Sequence, residues 1–137
     1  MKSNKEIKTK IFCDTADIKI IKQLNNNPLV NGFTTNPSLM KLFGAKNYKN
    51  YSKKILKICK KKSISFEVIA DDFKQMEKQA YKIKSWGSNV YVKIPVTNSK
   101  GNSSAKVIKR LSDDGLKLNI TAVYTLKQVK KIIKCVN

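Results

Sequence analysis

The sequence predicts an α/β domain built on a parallel sheet, and three observations predict it. Short β-rich runs alternate with helix-like stretches along all 137 residues. The clearest runs have one apolar face and one face bearing polar groups. Those polar groups fall mid-run or toward its C-terminal end.

The elements follow in order. The first run is 10–14 (KIFCD), followed by a weaker helical pattern over 17–24. The second, 32–36 (GFTTN), precedes a helical stretch over 47–62 that holds Tyr48, Tyr51, Ile55, Leu56, Ile58 and Cys59. The third, 64–70 (ISFEVIA), precedes the clearest helix, 72–86, where Phe73, Met76, Ala80 and Ile83 recur at helical spacing against Lys, Gln and Glu. Asp71 or Asp72 caps its start, and Gly87 falls where a helix end favours the left-handed conformation. The fourth run, 89–96 (NVYVKIPV), precedes a helix over 104–111. The fifth, 116–122 (LKLNITA), precedes one over 125–135.

A strict β-α alternation implies parallel strands joined by right-handed crossovers. A doubly wound sheet and a barrel both satisfy it. Side chains alternate across a strand, which separates the two. Val90, Val92, Ile94 and Val96 oppose Asn89, Tyr91, Lys93 and Pro95; Ile64, Phe66, Val68 and Ala70 oppose Ser65, Glu67 and Ile69; Leu118, Ile120 and Ala122 oppose Lys117, Asn119 and Thr121. A doubly wound sheet, covered by helices on both sides, tends to be apolar on both faces. A barrel turns one face inward and draws its catalytic groups from the C-terminal ends of several strands. The pattern favours a partial TIM (β/α)8 barrel, about the first five βα units.

Composition narrows the function classes. Hydrophobic residues make up 41% of the chain, enough for one globular domain over 1–137. No apolar run approaches the roughly 18 residues of a membrane span. The opening MKSNKEIKTK lacks the apolar core of a signal peptide, so the cytoplasm is the expected compartment. The chain has no His, which removes His-based catalysis and His-containing metal sites. Cys13, Cys59 and Cys135 match neither a disulfide framework nor a zinc site. The net charge of +20 invites a nucleic-acid reading. Against it, Arg110 is the only arginine, and arginine is the better bidentate phosphate ligand. The lysines are spread along the chain, thickest in a helical stretch (Lys53, Lys54, Lys57, Lys60, Lys61, Lys62), without interleaved stacking aromatics, so a solvated basic surface is favoured. Such a field can also steer anionic sugar phosphates.

Lys93 is the most informative residue, a lone cation inside VYVKIPV. Burial disfavours an ammonium ion and yields the free amine that a carbonyl nucleophile requires. A lysine on an edge strand, or one paired with a buried carboxylate, fits the same run. Asp14 and Glu67 lie on other strands and are expected to face the same interior. Two carboxylates and an amine supply base, acid and nucleophile without His, although a buried ion-pair network explains the same spacing.

Four segments then carry a resemblance spanning residues 11–128: FCDTAD, GFTTNPSL at 32–39, NVYVKIPVT at 89–97 and LNITAVYTLKQ at 118–128. TTNPSL followed by VKIPVT at this spacing is highly specific. The chain resembles the transaldolase family, including its small fructose-6-phosphate aldolase-like branch. The resemblance implies a (β/α)8 barrel, class I aldolase chemistry, and no metal or organic cofactor. It implies Lys93 as the Schiff-base lysine and Asp14 as the base that takes the C4 hydroxyl proton. Glu67 and Thr121 are expected to hold the catalytic water and relay protons. Asn36 and Asn119 are expected to orient the dihydroxyacetone moiety, with Thr34 supporting the site.

The implied substrates are fructose 6-phosphate, sedoheptulose 7-phosphate, erythrose 4-phosphate and glyceraldehyde 3-phosphate, exchanged in the pentose phosphate pathway. A homo-oligomer is compatible with all of this. The aldolase-like branch tends to carry Gln where this chain has Glu67, so Glu67 leans toward transfer over simple cleavage. A full barrel has eight strands and roughly 200 residues or more. Five strands are expected here, so a C-terminally truncated domain is expected too, and the family's phosphate-binding Arg and Ser fall outside it. The alternatives are the aldolase-like lyase, a basic nucleic-acid-binding module and a non-catalytic fragment.

Overall fold

A computed structural model describes residues 8–137; the polar opening at residues 1–7, part of the signal-peptide reading, lies outside them. Five strands, β1 (Ile11–Asp14), β2 (Val30–Thr34), β3 (Ser63–Glu67), β4 (Val90–Pro95) and β5 (Leu118–Thr121), form one sheet in the order β1-β2-β3-β4-β5. Every pairing is parallel. Six helices intervene: α1 (Ile18–Leu24), α2 (Pro37–Leu42), α3 (Tyr48–Ile58), α4 (Phe73–Lys84), α5 (Ala105–Asp113) and α6 (Leu126–Ile132). Sequential order with parallel pairing is how a barrel wall is laid down, and the sheet curls as a half-barrel with β1 and β5 at its edges. No helix of the described residues is long and apolar enough to cross a membrane.

The core lies between the sheet and its helices. In β4 the expected alternation is complete: Val90, Val92, Ile94 and, just beyond, Val96 are buried, and the residues between them are half-buried. Ile64, Phe66 and Val68 do the same on β3. Met76, Ala80 and Ile83 of α4, Ile55 of α3 and Val107, Ile108 and Leu111 of α5 pack onto that face. Each side chain of this size removed from water contributes about 1.5–3 kcal/mol. At the edge, Leu118 and Ile120 are only half-buried, and Ala122 is exposed beyond the end of β5.

Several boundaries differ from the sequence reading; β3, for example, ends at Glu67 and not at residue 70. Residues 32–36 are not all strand: β2 starts at Val30 and ends at Thr34, and Asn36 caps a helix, α2, that the sequence reading lacked. Asx followed by Pro at the first helical position is a helix-start signal, but six residues are too few for periodicity to register. Of the two candidates the sequence offered, Asp72 caps α4, its carboxylate accepting from the Gln75 N–H at 3.0 Å. Gly87 does not adopt the left-handed conformation; Gly44, Gly101 and Gly115 do. The end of α4 closes at Ser85 in right-handed geometry, which any residue adopts.

Candidate active site

Parallel partners at one register place their side chains on the same face, so the pairing maps the concave surface in layers. Phe12, Gly32 and Ser63 share the lowest layer. Asp14, Thr34, Ser65 and Tyr91 share the next. Glu67, Lys93 and Asn119 share the one above. Thr121 stands opposite Pro95, one step higher again.

Lys93 belongs to an interior strand, and its side chain is 14% exposed. Its Nζ lies 3.5 Å from Oε2 of Glu67, whose side chain is 20% exposed. The amine is therefore paired and shielded from bulk water, with one carboxylate oxygen at the distance of an ion pair. On the same layer, Asn119 Nδ2 donates to the Ser65 hydroxyl at 3.0 Å. That contact fixes the carboxamide and leaves its second N–H and its carbonyl for another partner. In the layer below, the Thr34 hydroxyl donates to Asp14 Oδ1 at 2.7 Å, orienting an exposed carboxylate.

Asn36 is held in a different way. Its carboxamide oxygen accepts from the Leu39 N–H at 2.8 Å as the cap of α2. The amide nitrogen is left for another partner. Thr121 precedes Ala122, whose φ of 58° is costly for a residue with a Cβ, by roughly 1–2 kcal/mol. Strain of this kind concentrates at functional rims.

The structure thus brings Lys93, Glu67 and Asn119 onto one layer and joins Asp14 to Thr34. Among the described residues no hydrogen bond joins Thr121 to Glu67. Two contributors escaped sequence reasoning. Ser65 is 5% exposed and holds Asn119; its place on the Glu67 face was legible, but its partner was not. Tyr48 on α3 bonds the main chain of Glu67, and nothing in its local sequence announces that.

A cavity of about 420 Å³ opens on the concave face, lined by Phe12, Thr34, Ser63, Ser65, Tyr91 and Asn119 among others. That volume is within the range of small-molecule sites, roughly 300–1,000 Å³. Most of its lining lies on the strand-N-terminal side of the Lys93 layer, with Asn119 reaching that layer, and Lys93 itself does not line it. Glu67 contributes to a separate cavity of about 240 Å³ on the helix side, between α3 and α4, with Tyr48, Gln79 and Trp86. No group of three or more Cys, Asp or Glu side chains with metal-ligand geometry occurs among the described residues. The groups that the two middle layers bring together include the Lys93 amine, the Asp14 and Glu67 carboxylates, hydroxyls and an amide.

Residues 11–136 match the family model described as transaldolase/fructose-6-phosphate aldolase. Similar relatives include a probable transaldolase of Nitrosopumilus maritimus, 39% identical over 119 residues, covering 87% of this chain and 51% of the relative. One from Dehalococcoides mccartyi is 36% identical, with 87% and 53% covered. One from Brucella anthropi is 40% identical, with 87% and 52% covered. The chain spans about half the length of these relatives. With its family model matched across nearly the whole chain, this protein belongs to the transaldolase/fructose-6-phosphate aldolase family.

Proposed function

We propose that the concave face serves a class I transaldolase reaction, moving a dihydroxyacetone unit between sugar phosphates through a Schiff base on Lys93. The observation that carries this reading is the Lys93–Glu67 pair: a shielded amine 3.5 Å from a carboxylate, on adjacent strands at one register. The carboxylate can accept a proton from the ammonium group and so free the lone pair for attack on a ketone.

In this reading, Lys93 Nζ attacks C2 of fructose 6-phosphate or sedoheptulose 7-phosphate. The carbinolamine loses water, with Glu67 and Thr121 holding that water and passing protons. Asp14, oriented by Thr34, removes the C4 hydroxyl proton. The C3–C4 bond then breaks, its electrons flow into the protonated imine, and an aldose phosphate leaves. The enamine on Lys93 adds to the carbonyl carbon of erythrose 4-phosphate or glyceraldehyde 3-phosphate, and hydrolysis frees the new ketose. Asn36 and Asn119 donate to the hydroxyls of the three-carbon unit. The reaction belongs to the pentose phosphate pathway in the cytoplasm and draws on no metal or organic cofactor. Glu67, rather than Gln, favours transfer over plain aldol cleavage.

Incubating the chain with fructose 6-phosphate and borohydride tests it. A reduced adduct is expected on the Lys93 peptide and is expected to vanish in Lys93→Arg, which stays charged near neutrality. Failure to form an adduct, or an adduct that survives Lys93→Arg, sinks the proposal. Release of free dihydroxyacetone without acceptor would move the protein to the lyase reading.

A further inference from the structure

We infer that Tyr48 is a positioning residue for Glu67, holding the end of β3 so that the carboxylate faces Lys93. Its chemical consequence rests on the Schiff-base reading above; its geometry does not.

Main-chain groups of successive strand residues point alternately to the two neighbouring strands. On β3, the Ser65 carbonyl faces β2, where it accepts from the Thr35 N–H at 3.3 Å. The Val68 N–H faces β4 and donates to the Lys93 carbonyl at 3.1 Å. Glu67 must therefore face the β2 side. By that height β2 has ended at Thr34 and the chain has turned into α2 behind the Asn36 cap. Both main-chain groups of Glu67 would be left without a strand partner.

The Tyr48 hydroxyl fills the gap. It accepts from the Glu67 N–H at 2.9 Å and donates to the Glu67 carbonyl at 2.9 Å. One phenol thus replaces a residue of β2. Its ring meets Trp86 edge-on with centroids 5.9 Å apart, and Trp86 meets Phe66 in the same way at 5.8 Å. Burial holds the phenol well above its ordinary pKa, so the proton it donates stays in place. An unclamped β3 end would leave two part-buried polar groups unpaired and let the Glu67 side chain swing from the amine.

The test needs no substrate. A carbodiimide activates a carboxylate and couples it to an amine already beside it, forming an amide and releasing a urea. The wild-type chain is expected to give a Glu67–Lys93 crosslink, and Tyr48→Phe is expected to lower its yield severalfold. Trp86→Phe, which keeps the hydroxyl, is expected to crosslink as wild type does. Amide hydrogen exchange gives a second readout: in Tyr48→Phe the Glu67 N–H should exchange about tenfold faster or more, while Phe66 and Val68 keep their protection. Equal crosslinking in Tyr48→Phe and wild type overturns the inference. If Tyr48→Phe fails to fold, the wild type still decides: an unprotected Glu67 N–H, or no crosslink, also overturns it. A wild type that crosslinks, protects Glu67, but forms no sugar adduct removes the Schiff-base reading and leaves the clamp intact.

Discussion

Gly32 shows how closely the concave face is fitted at single residues. A Cβ there would lie 2.4 Å from Ser63 Oγ, 2.6 Å from the Ser63 carbonyl and 2.8 Å from the Phe12 ring. Two of those neighbours can turn aside, but the carbonyl belongs to β3 and cannot. Gly32→Ala is therefore expected to part β2 from β3 and destabilise the fold by about 1–3 kcal/mol. A denaturant melt showing less than half a unit of that scale would refute it. Legibility at this scale follows chemistry. Lys93 was visible because a cation interrupting an apolar strand is costly unless it is used or paired. Asp14 and Glu67 were visible as carboxylates in β-rich runs. Their supports were not: Ser65 reaches Asn119 from 54 residues away and Tyr48 reaches Glu67 from 19. No local pattern encodes which distant atom a hydroxyl will meet.

The elements add a second level of support, carried by helices at the strand ends. α3 presents two phenols one turn apart. Tyr48 holds Glu67, and the single Tyr51 O–H is within reach of the carbonyls of Ala16 at 2.9 Å and Phe43 at 3.2 Å, bracing the loop that follows Asp14. Farther out, α4 and α5 are tied by a forked pair, Arg110 Nη2 to Glu77 Oε2 at 2.6 Å with Nε 3.1 Å from Oε1. The Arg110 hydrogen bonds hold the Glu77 carboxyl below its ordinary value of 4.5. A depressed carboxyl contributes stability that is present above the unfolded value and lost as pH falls through the folded one. Because the pair is exposed to solvent, screening limits its worth to about 1 kcal/mol at most. Glu77→Gln is thus expected to melt below wild type at pH 6, with the gap narrowing as pH falls below 4.5; a gap that stays constant through acid titration would contradict it. Five strands and five of the six helices were legible here, since each long element carries its own period. The helix α2 was not, being too short to show one, and Gly87 misled because α4 ends without a left-handed residue.

At the scale of the whole molecule, two opposing forces act on an open sheet. The edges β1 and β5 have a strand neighbour on one side only among the described residues, and unpaired edges template association. Beside β5, Tyr124 is 87% exposed, Leu126 77% and Ile133 66%. With Val129 between them, Leu126 and Ile133 form an apolar stripe along α6 at spacings of three and four. Burial of such a stripe favours contact between copies. The net charge of +20 disfavours it, since like charges repel over a Debye length of about 10 Å at 0.1 M salt. Added salt screens the repulsion and leaves the apolar attraction intact. The chain is therefore expected to sediment as smaller species at low ionic strength and larger ones as salt rises toward about 0.5 M. Leu126→Lys with Ile133→Lys should abolish the rise. A nucleic-acid module predicts the opposite sign, because salt releases a polyanion from lysines. Sedimentation across a salt series, with and without an added polyanion, separates the two: mass of the nucleic-acid-free chain that falls or holds constant with salt would rule out association through the α6 stripe.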